Sequence, residues 1–379
     1  MTAGPISRLG AVGSNESTLR TLTFYLPQFH PIVENDTWWG RGFTEWTNTA
    51  KASRRFPGHY QPHIPADLGF YDLRTPETRV AQAELAREYG IEGFVYWHYW
   101  FAGRRMLDRP FREVLWSGSP DLPFCLAWAN QSWTGIWHGT PGRVLIEQTY
   151  GGEQDDQNHF DAVLPAFLDD RYVRVDGKPL FYVFRPEQLP EPAQWVDRWQ
   201  QMAYAAGLPG LHLVAEMSDL LGAGPIYDDP FRDGFDAGVH VRIPVRIDRW
   251  TTLRMRVMRK LGLPEIYPYA KDPVDRPRST PSRPVYPCVY PGWDNSPRAG
   301  SRGLVAHGST PELFGVHVRD AVHRLEPLPP DNRLLFVKSW NEWAEGNHLE
   351  PDLRHGQRYL EALRDELVRA QRAPGKRDA

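Results

Sequence analysis

The chain has 379 residues, 41% hydrophobic and 24% charged, with a formal net charge of −3, a balance that supports a large packed core and excludes the basic footprint of a nucleic-acid-binding domain. No apolar run approaches bilayer length, and the first twenty residues lack an apolar signal segment, so no transmembrane span and a cytoplasmic location are expected. Only Cys125 and Cys288 occur, both inside apolar runs, which reads as buried free thiols and not as a disulfide framework.

Eight short apolar runs predict strands at 22–29, 93–99, 123–129, 180–184, 212–216, 237–241, 285–290 and 334–339. Between most of them, helical periodicity falls at 77–89, 159–168, 191–206, 246–261 and 312–325, and again after the last strand at 357–372. Strands alternating with helices indicate parallel βα units. Eight units predict an α/β fold, a single-domain (β/α)₈ TIM-like barrel over 19–372, with long loops at the C-terminal face of the strands. A doubly wound open sheet is the alternative, but no Gly-rich dinucleotide turn follows the first strand. Residues 1–18 and 373–379 read as mobile tails, and 219–232 and 267–287 as long loops.

The chain carries 15 Trp, 16 Tyr and 17 Phe. Ten of the tryptophans (Trp38, Trp39, Trp97, Trp100, Trp128, Trp133, Trp137, Trp293, Trp340 and Trp343) sit among Asn, His, Gln and acidic residues, whereas core rings are more often interleaved with aliphatics. After the first strand, Tyr25, Gln28, His30, Glu45, Trp46 and Asn48 offer donors, acceptors and stacking faces within one βα loop, as a polyol site requires. Trp39 and Phe43 are read as caps of the barrel. His59 and His63 stand four apart, but Pro62 and Pro65 disfavour a helix there. With no Cys pair or HExxH segment, these histidines are assigned to hydrogen bonding, and neither metal nor cofactor is expected. Alternation along the second strand sends Tyr96, His98 and Trp100 to one face and Val95, Trp97 and Tyr99 to the other. Trp128-Ala-Asn130 after the third strand and Trp293-Asp294 after the seventh repeat the pairing of indoles with polar groups. The expectation is one cleft in which Trp46, Tyr96, His98, Trp128 and Trp293 surround two carboxylates.

Those carboxylates are Glu342 and Glu345, three apart in Trp340-Asn341-Glu342-Trp343-Ala344-Glu345-Gly346, at the C-terminal end of the last strand, where barrels carry their chemistry. Two carboxyl groups beside indoles suit glycosidic bond cleavage, in which one of them must stay protonated near neutral pH. Glu350, before Pro351, is expected to play a structural or outer role.

Seven motifs in order carry a resemblance: Phe24-Tyr-Leu-Pro-Gln-Phe-His30, Gly42-Phe-Thr-Glu-Trp-Thr-Asn48, Trp97-His-Tyr-Trp-Phe101, Trp128-Ala-Asn130, Gly177-Lys-Pro-Leu180, Gly292-Trp-Asp-Asn295 and Trp340 to Gly346. The chain resembles the WbsX-type proteins of polysaccharide biosynthesis, relatives of glycoside hydrolase family 99, from about residue 21 to 363. The resemblance implies a (β/α)₈ fold and an oligo- or polysaccharide substrate. It further implies retention of configuration without an enzyme nucleophile, with Glu342 as base on the sugar 2-hydroxyl and Glu345 as acid/base. Gln131 stands where many relatives carry Glu. WbsX-type proteins are also described as glycosyltransferases. No Asp-x-Asp motif is present, however, and Asp155-Asp156 and Asp169-Asp170 read as solvated helix ends. A carbohydrate-binding protein that has lost catalysis is the third reading.

Overall fold

The structure, a computed structural model, describes residues 19–135, 140–217, 227–241, 249–270, 280 and 282–372. The expected tails, Trp137 and parts of the expected loops at 219–232 and 267–287 lie outside the described residues. Each of the eight apolar runs forms a strand: β1 (Arg20–Tyr25), β2 (Gly93–Phe101), β3 (Phe124–Trp128), β4 (Lys178–Val183), β5 (His212–Glu216), β6 (Ala237–His240), β7 (Val285–Val289) and β8 (Leu334–Val337). Each pairs in parallel with its sequence neighbours, and β8 pairs with β1, Thr21 facing Leu335 and Thr23 facing Val337. The sheet is therefore a closed eight-stranded parallel barrel. All nine residues of β2 are buried, as expected for a parallel strand covered on both faces. The lumen is filled with rings. Phe24 stacks on Trp97 with centroids 4.9 Å apart and touches Tyr182 and Phe336, and Phe336 touches Tyr286.

The helices follow the strands. Two short ones, α1 (Val33–Trp39) and α2 (Glu45–Ala50), lie in the loop after β1, which continues into α3 (Pro76–Glu88). Then come α4 (Arg109–Ser117), α5 (Glu153–Phe167), α6 (Pro192–Ala205), α7 (Arg249–Lys260), the short α8 (Ser296–Ala299), α9 (Pro311–Leu325) and α10 (Arg358–Arg372). Starts and stops follow local chemistry. The Thr310 hydroxyl accepts from the Leu313 amide to cap α9, with Pro311 in the first turn, and α4 ends at Gly118 in the left-handed region. In α10, Leu360, Leu363 and Leu367 share one buried face, each worth roughly 1.5–3 kcal/mol on burial. Arg319 of α9 donates to both oxygens of Glu366 on α10, at 2.7 and 2.9 Å.

Two expectations shift. The first strand ends at Tyr25, because Leu26 leaves the sheet to bond through both main-chain groups to the Asn341 amide. Between β5 and β6 the described residues hold a 3₁₀ turn, Pro230–Asp233. Among the described residues no helix is long and apolar enough to cross a membrane. Cys125 is buried, Cys288 is half-buried, and both are free thiols.

Candidate active site

After β8 the chain forms a small hairpin in which Asn341–Glu342 pairs antiparallel with Asn347–His348. A 3₁₀ turn, Trp343–Glu345, connects the two arms, and Gly346 closes it at φ 56°. This turn presents Glu342 and Glu345 to the floor of a cleft of about 220 Å³ at the C-terminal mouth of the barrel. The hairpin is held from beneath. Trp343 Nε1, Tyr71 Oη and Gln82 Nε2 donate to Glu350 at 2.6, 2.8 and 2.6 Å, and Trp343 stacks on His348. Beside it, the loop after β7 crosses main chain to main chain: a Cβ on Gly292 would stand 2.7 Å from the Gly346 carbonyl oxygen.

The cleft floor is strongly charged. Trp97 Nε1 donates to Glu342 Oε1 at 2.9 Å, which fixes that carboxylate over the barrel lumen. Arg298 of α8 bonds Glu45 at 2.9–3.0 Å on one side and Glu345 on the other. Burial pushes the Glu345 carboxyl up to about 8, Arg298 opposes this, and the like charge of Glu342 adds to it. Burial disfavours the Arg298 charge, but Glu45, Glu345 and Glu342 outweigh it and hold the guanidinium above its ordinary range. Lys338, at the end of β8, places its ammonium over Phe24, Trp97 and Phe184 at 5.2–5.4 Å and 3.9 Å from the buried Glu216. The walls are aromatic: Trp39, Trp97, Tyr99, Trp133, Phe184 and Trp293. Asn35 also lines the cleft, buried, with both amide atoms lacking a protein partner. It presents one donor and one acceptor to whatever fills the space.

Of the residues assigned to the site from sequence, Gln28, Glu45, Trp293, Glu342 and Glu345 line this cleft. Gln131 lines it too, placing a neutral amide on the wall. The others lie elsewhere. Tyr25 and Tyr96 point outward, where Tyr25 bonds Gln82 and Tyr96 packs on Phe111 and Phe124. His98 bonds His159 of α5, and Trp128 packs on Trp195 of α6. Inward-facing Trp97 and Tyr99 take the place expected of Tyr96 and His98, because the register puts Phe24 and Trp97 in the lumen. Trp46 donates to the Tyr71 carbonyl and packs on Phe29 and Trp343. Of the five rings expected around the carboxylates, only Trp293 borders the cleft.

Several polar side chains serve the backbone. His30 meets the Pro27 carbonyl, and Asn130 bridges to the Arg185 main chain through both ends of its amide. Asn341 ties down Leu26. Asp294 accepts from Gln61, the Ser296 amide and His59, and lies outside the cleft. Trp39, expected as a cap, forms part of the wall. Asn35, Arg185, Arg298 and Lys338 were not singled out, and Tyr99 was named only as a member of the other face of β2. For Lys338 a signal existed, since it directly follows the last strand residue.

The family model described as Glycosyltransferase WbsX matches residues 21–363. The chain belongs to the WbsX family. This WbsX-family chain is 41% identical to WxcX proteins from two strains of Xanthomonas campestris pv. campestris, over 92% of its own length and 50% of theirs. It thus spans about half the length of the curated relatives it matches. Among solved structures, a glycoside hydrolase-like protein aligns with TM-score 0.57 and 14% identity over 95% of the WbsX-family chain and 97% of its own. A family 99 endo-α-mannosidase from Bacteroides thetaiotaomicron aligns with TM-score 0.54 and 14% identity over 94% and 100%. These likenesses establish the shared (β/α)₈ fold.

Proposed function

We propose that the chain is a glycan-active enzyme that breaks or transfers a glycosidic bond of a bacterial surface polysaccharide or its precursor, with retention of configuration. The observation that carries this reading is the buried carboxyl pair on the cleft floor, with the Glu345 carboxyl pushed up by burial and by the like charge of Glu342, and Glu342 fixed by an indole donor. Glu342 takes the proton of the substrate 2-hydroxyl, whose oxygen attacks the anomeric carbon as the glycosidic bond breaks. Glu345 gives its proton to the departing oxygen. The epoxide-like sugar is then opened at the anomeric carbon by water, which Glu345 deprotonates, while Glu342 returns the proton to the 2-oxygen. Atoms balance, and both carboxyl groups end as they began. The ring-lined walls suit sugar faces, and the unpartnered Asn35 amide suits a hydroxyl pair.

Glycosyl transfer is the second reading, favoured by the family description. It needs only an acceptor hydroxyl in place of water. Transfer from a nucleotide sugar is less well supported, because the adjacent aspartate pairs sit on the outer layer. Asp155 and Asp156 open α5 and bond Trp100 and Arg198, and Asp169 bonds Arg171. The test is product analysis on candidate glycans, with and without nucleotide sugars, for the wild type, Glu342→Gln and Glu345→Gln. Turnover should fall about 10²–10⁴-fold in each variant while calorimetric binding persists. A 2-deoxy substrate should react poorly. Full activity of both variants on a verified substrate would sink the mechanism, and glycan binding by the wild type without turnover would favour a binding protein.

A further inference from the structure

A second cavity, of about 110 Å³, backs onto the same hairpin and shares Trp293 with the main cleft. Five of the chain's 13 histidines and two aspartates border it. Within it, one ligand-type atom from each of His63, His348 and Asp352 falls inside a sphere of contacts no longer than 4.8 Å. Ligand atoms bound at about 2.0–2.2 Å around one tetrahedral ion stand roughly 3.3–3.5 Å apart, so the spread needs only small side-chain rotations.

The groups are set up as ligands usually are. His348 Nδ1 is bonded to the Glu350 carbonyl at 2.9 Å, which turns Nε2 toward His63 Nδ1, 2.7 Å away. A backbone carbonyl on the far ring nitrogen is the usual outer support of a ligating histidine. Asp352 is oriented by the Arg354 and His355 amides at 3.0 and 2.6 Å. The four-residue spacing of His59 and His63 plays no part, since His59 is committed to Asp294 at 2.7 Å.

We propose that His63, His348 and Asp352 bind one divalent transition-metal ion of the zinc class, with cavity water completing four-coordination. The ion is a clamp and takes no part in the reaction. His348 faces Asn341 across the hairpin that carries Glu342, and a Cβ on Gly346, next to Glu345, would stand 3.5 Å from His63 Cε1. Binding therefore cross-links the catalytic hairpin, and Asp352 just beyond it, to His63, 285 residues away in sequence.

The test uses the full chain, stripped with chelator and titrated with Zn²⁺ or Co²⁺ alone. One equivalent per chain by elemental analysis is expected, with the visible bands of four-coordinate Co²⁺ and a raised Tm. His348 carries the Trp343 stack, and its replacement risks misfolding, so His63→Ala and Asp352→Asn carry the comparison. Each should weaken binding by at least about 10–100-fold and abolish the Tm rise, while His323→Ala on the exposed face of α9 should change neither. Substoichiometric binding by the wild type, or unchanged affinity in His63→Ala, would overturn the site and leave a plain hydrogen bond between two neutral imidazoles.

Discussion

Arg298→Gln is the most discriminating perturbation of the candidate site. Arg298 contacts Glu345 directly and is the main influence holding its carboxyl down against burial and the like charge of Glu342. Unit charges about 4 Å apart interact by about 1 kcal/mol in water and about 4 kcal/mol at an effective dielectric of 20. At 1.36 kcal/mol per pH unit, loss of the cation should raise the Glu345 midpoint by about one to three units. The sign is fixed, because the variant removes the positive neighbour and leaves Glu45 and Glu342 in place. The assay needs no substrate. Carboxyl ¹³C-labelled glutamate is followed by NMR across pH, and the Glu345 signal is identified by its loss in Glu345→Gln. The wild type should titrate near pH 8 and Arg298→Gln clearly higher. A wild-type midpoint in the ordinary carboxylate range, or a variant midpoint that stays put or falls, would refute the electrostatic reasoning.

Three further outcomes are expected. A carboxyl whose folded pKa is raised contributes stability below its unfolded pKa that is lost as pH rises through the folded value. Glu345→Gln should therefore match the wild type below about pH 4.5 and exceed it above about pH 8, by up to about 5 kcal/mol, in denaturant melts at the two extremes. Trp97→Phe removes the indole donor on Glu342 and should lower kcat by about 10–100-fold, matching a charged hydrogen bond of about 1.5–3 kcal/mol, with the far-UV spectrum unchanged. Glu350→Ala leaves three buried donors without their acceptor and should cost about 3 kcal/mol or more of unfolding free energy, against a milder loss for Glu350→Gln.

The barrel was legible because each strand is a short apolar run bounded by turn residues, and the order of eight such runs leaves few topologies. The helices missed are the short ones. In α1 and α2 six or seven residues sit inside a polar loop, and α4 begins with Arg109-Pro110 and offers barely two turns of pattern. The pair Glu342 and Glu345 was legible from its place at a strand end. The aromatic wall was not, for a physical reason. Alternation divides β2 into two sets without saying which faces the lumen, and with both faces buried each set is ring-rich, so no polarity contrast separates Tyr96 from Trp97. Asn130 and Asn341 misled in another way, since an amide that satisfies stray backbone groups looks in sequence like one that awaits a sugar. Arg298 reaches Glu345 from a different loop, 47 residues distant, and no local pattern encodes that meeting.

The crossing of Gly292 over Gly346 fixes a dimension of the cleft that side chains cannot tune. A side chain at 292 would meet the Gly346 carbonyl oxygen, a backbone atom that cannot rotate aside, so any residue larger than glycine there requires the main chain to shift. Trp293 on one loop and Glu345 on the other therefore flank a close approach that admits no side chain. Trp39, Trp133 and Gln131 also line the cleft and are free of that constraint, so on the proposed function exchanges there would alter which saccharide fits. On the proposed function, substrate preference can diversify through such exchanges while the close approach beside Glu345 stays as it is.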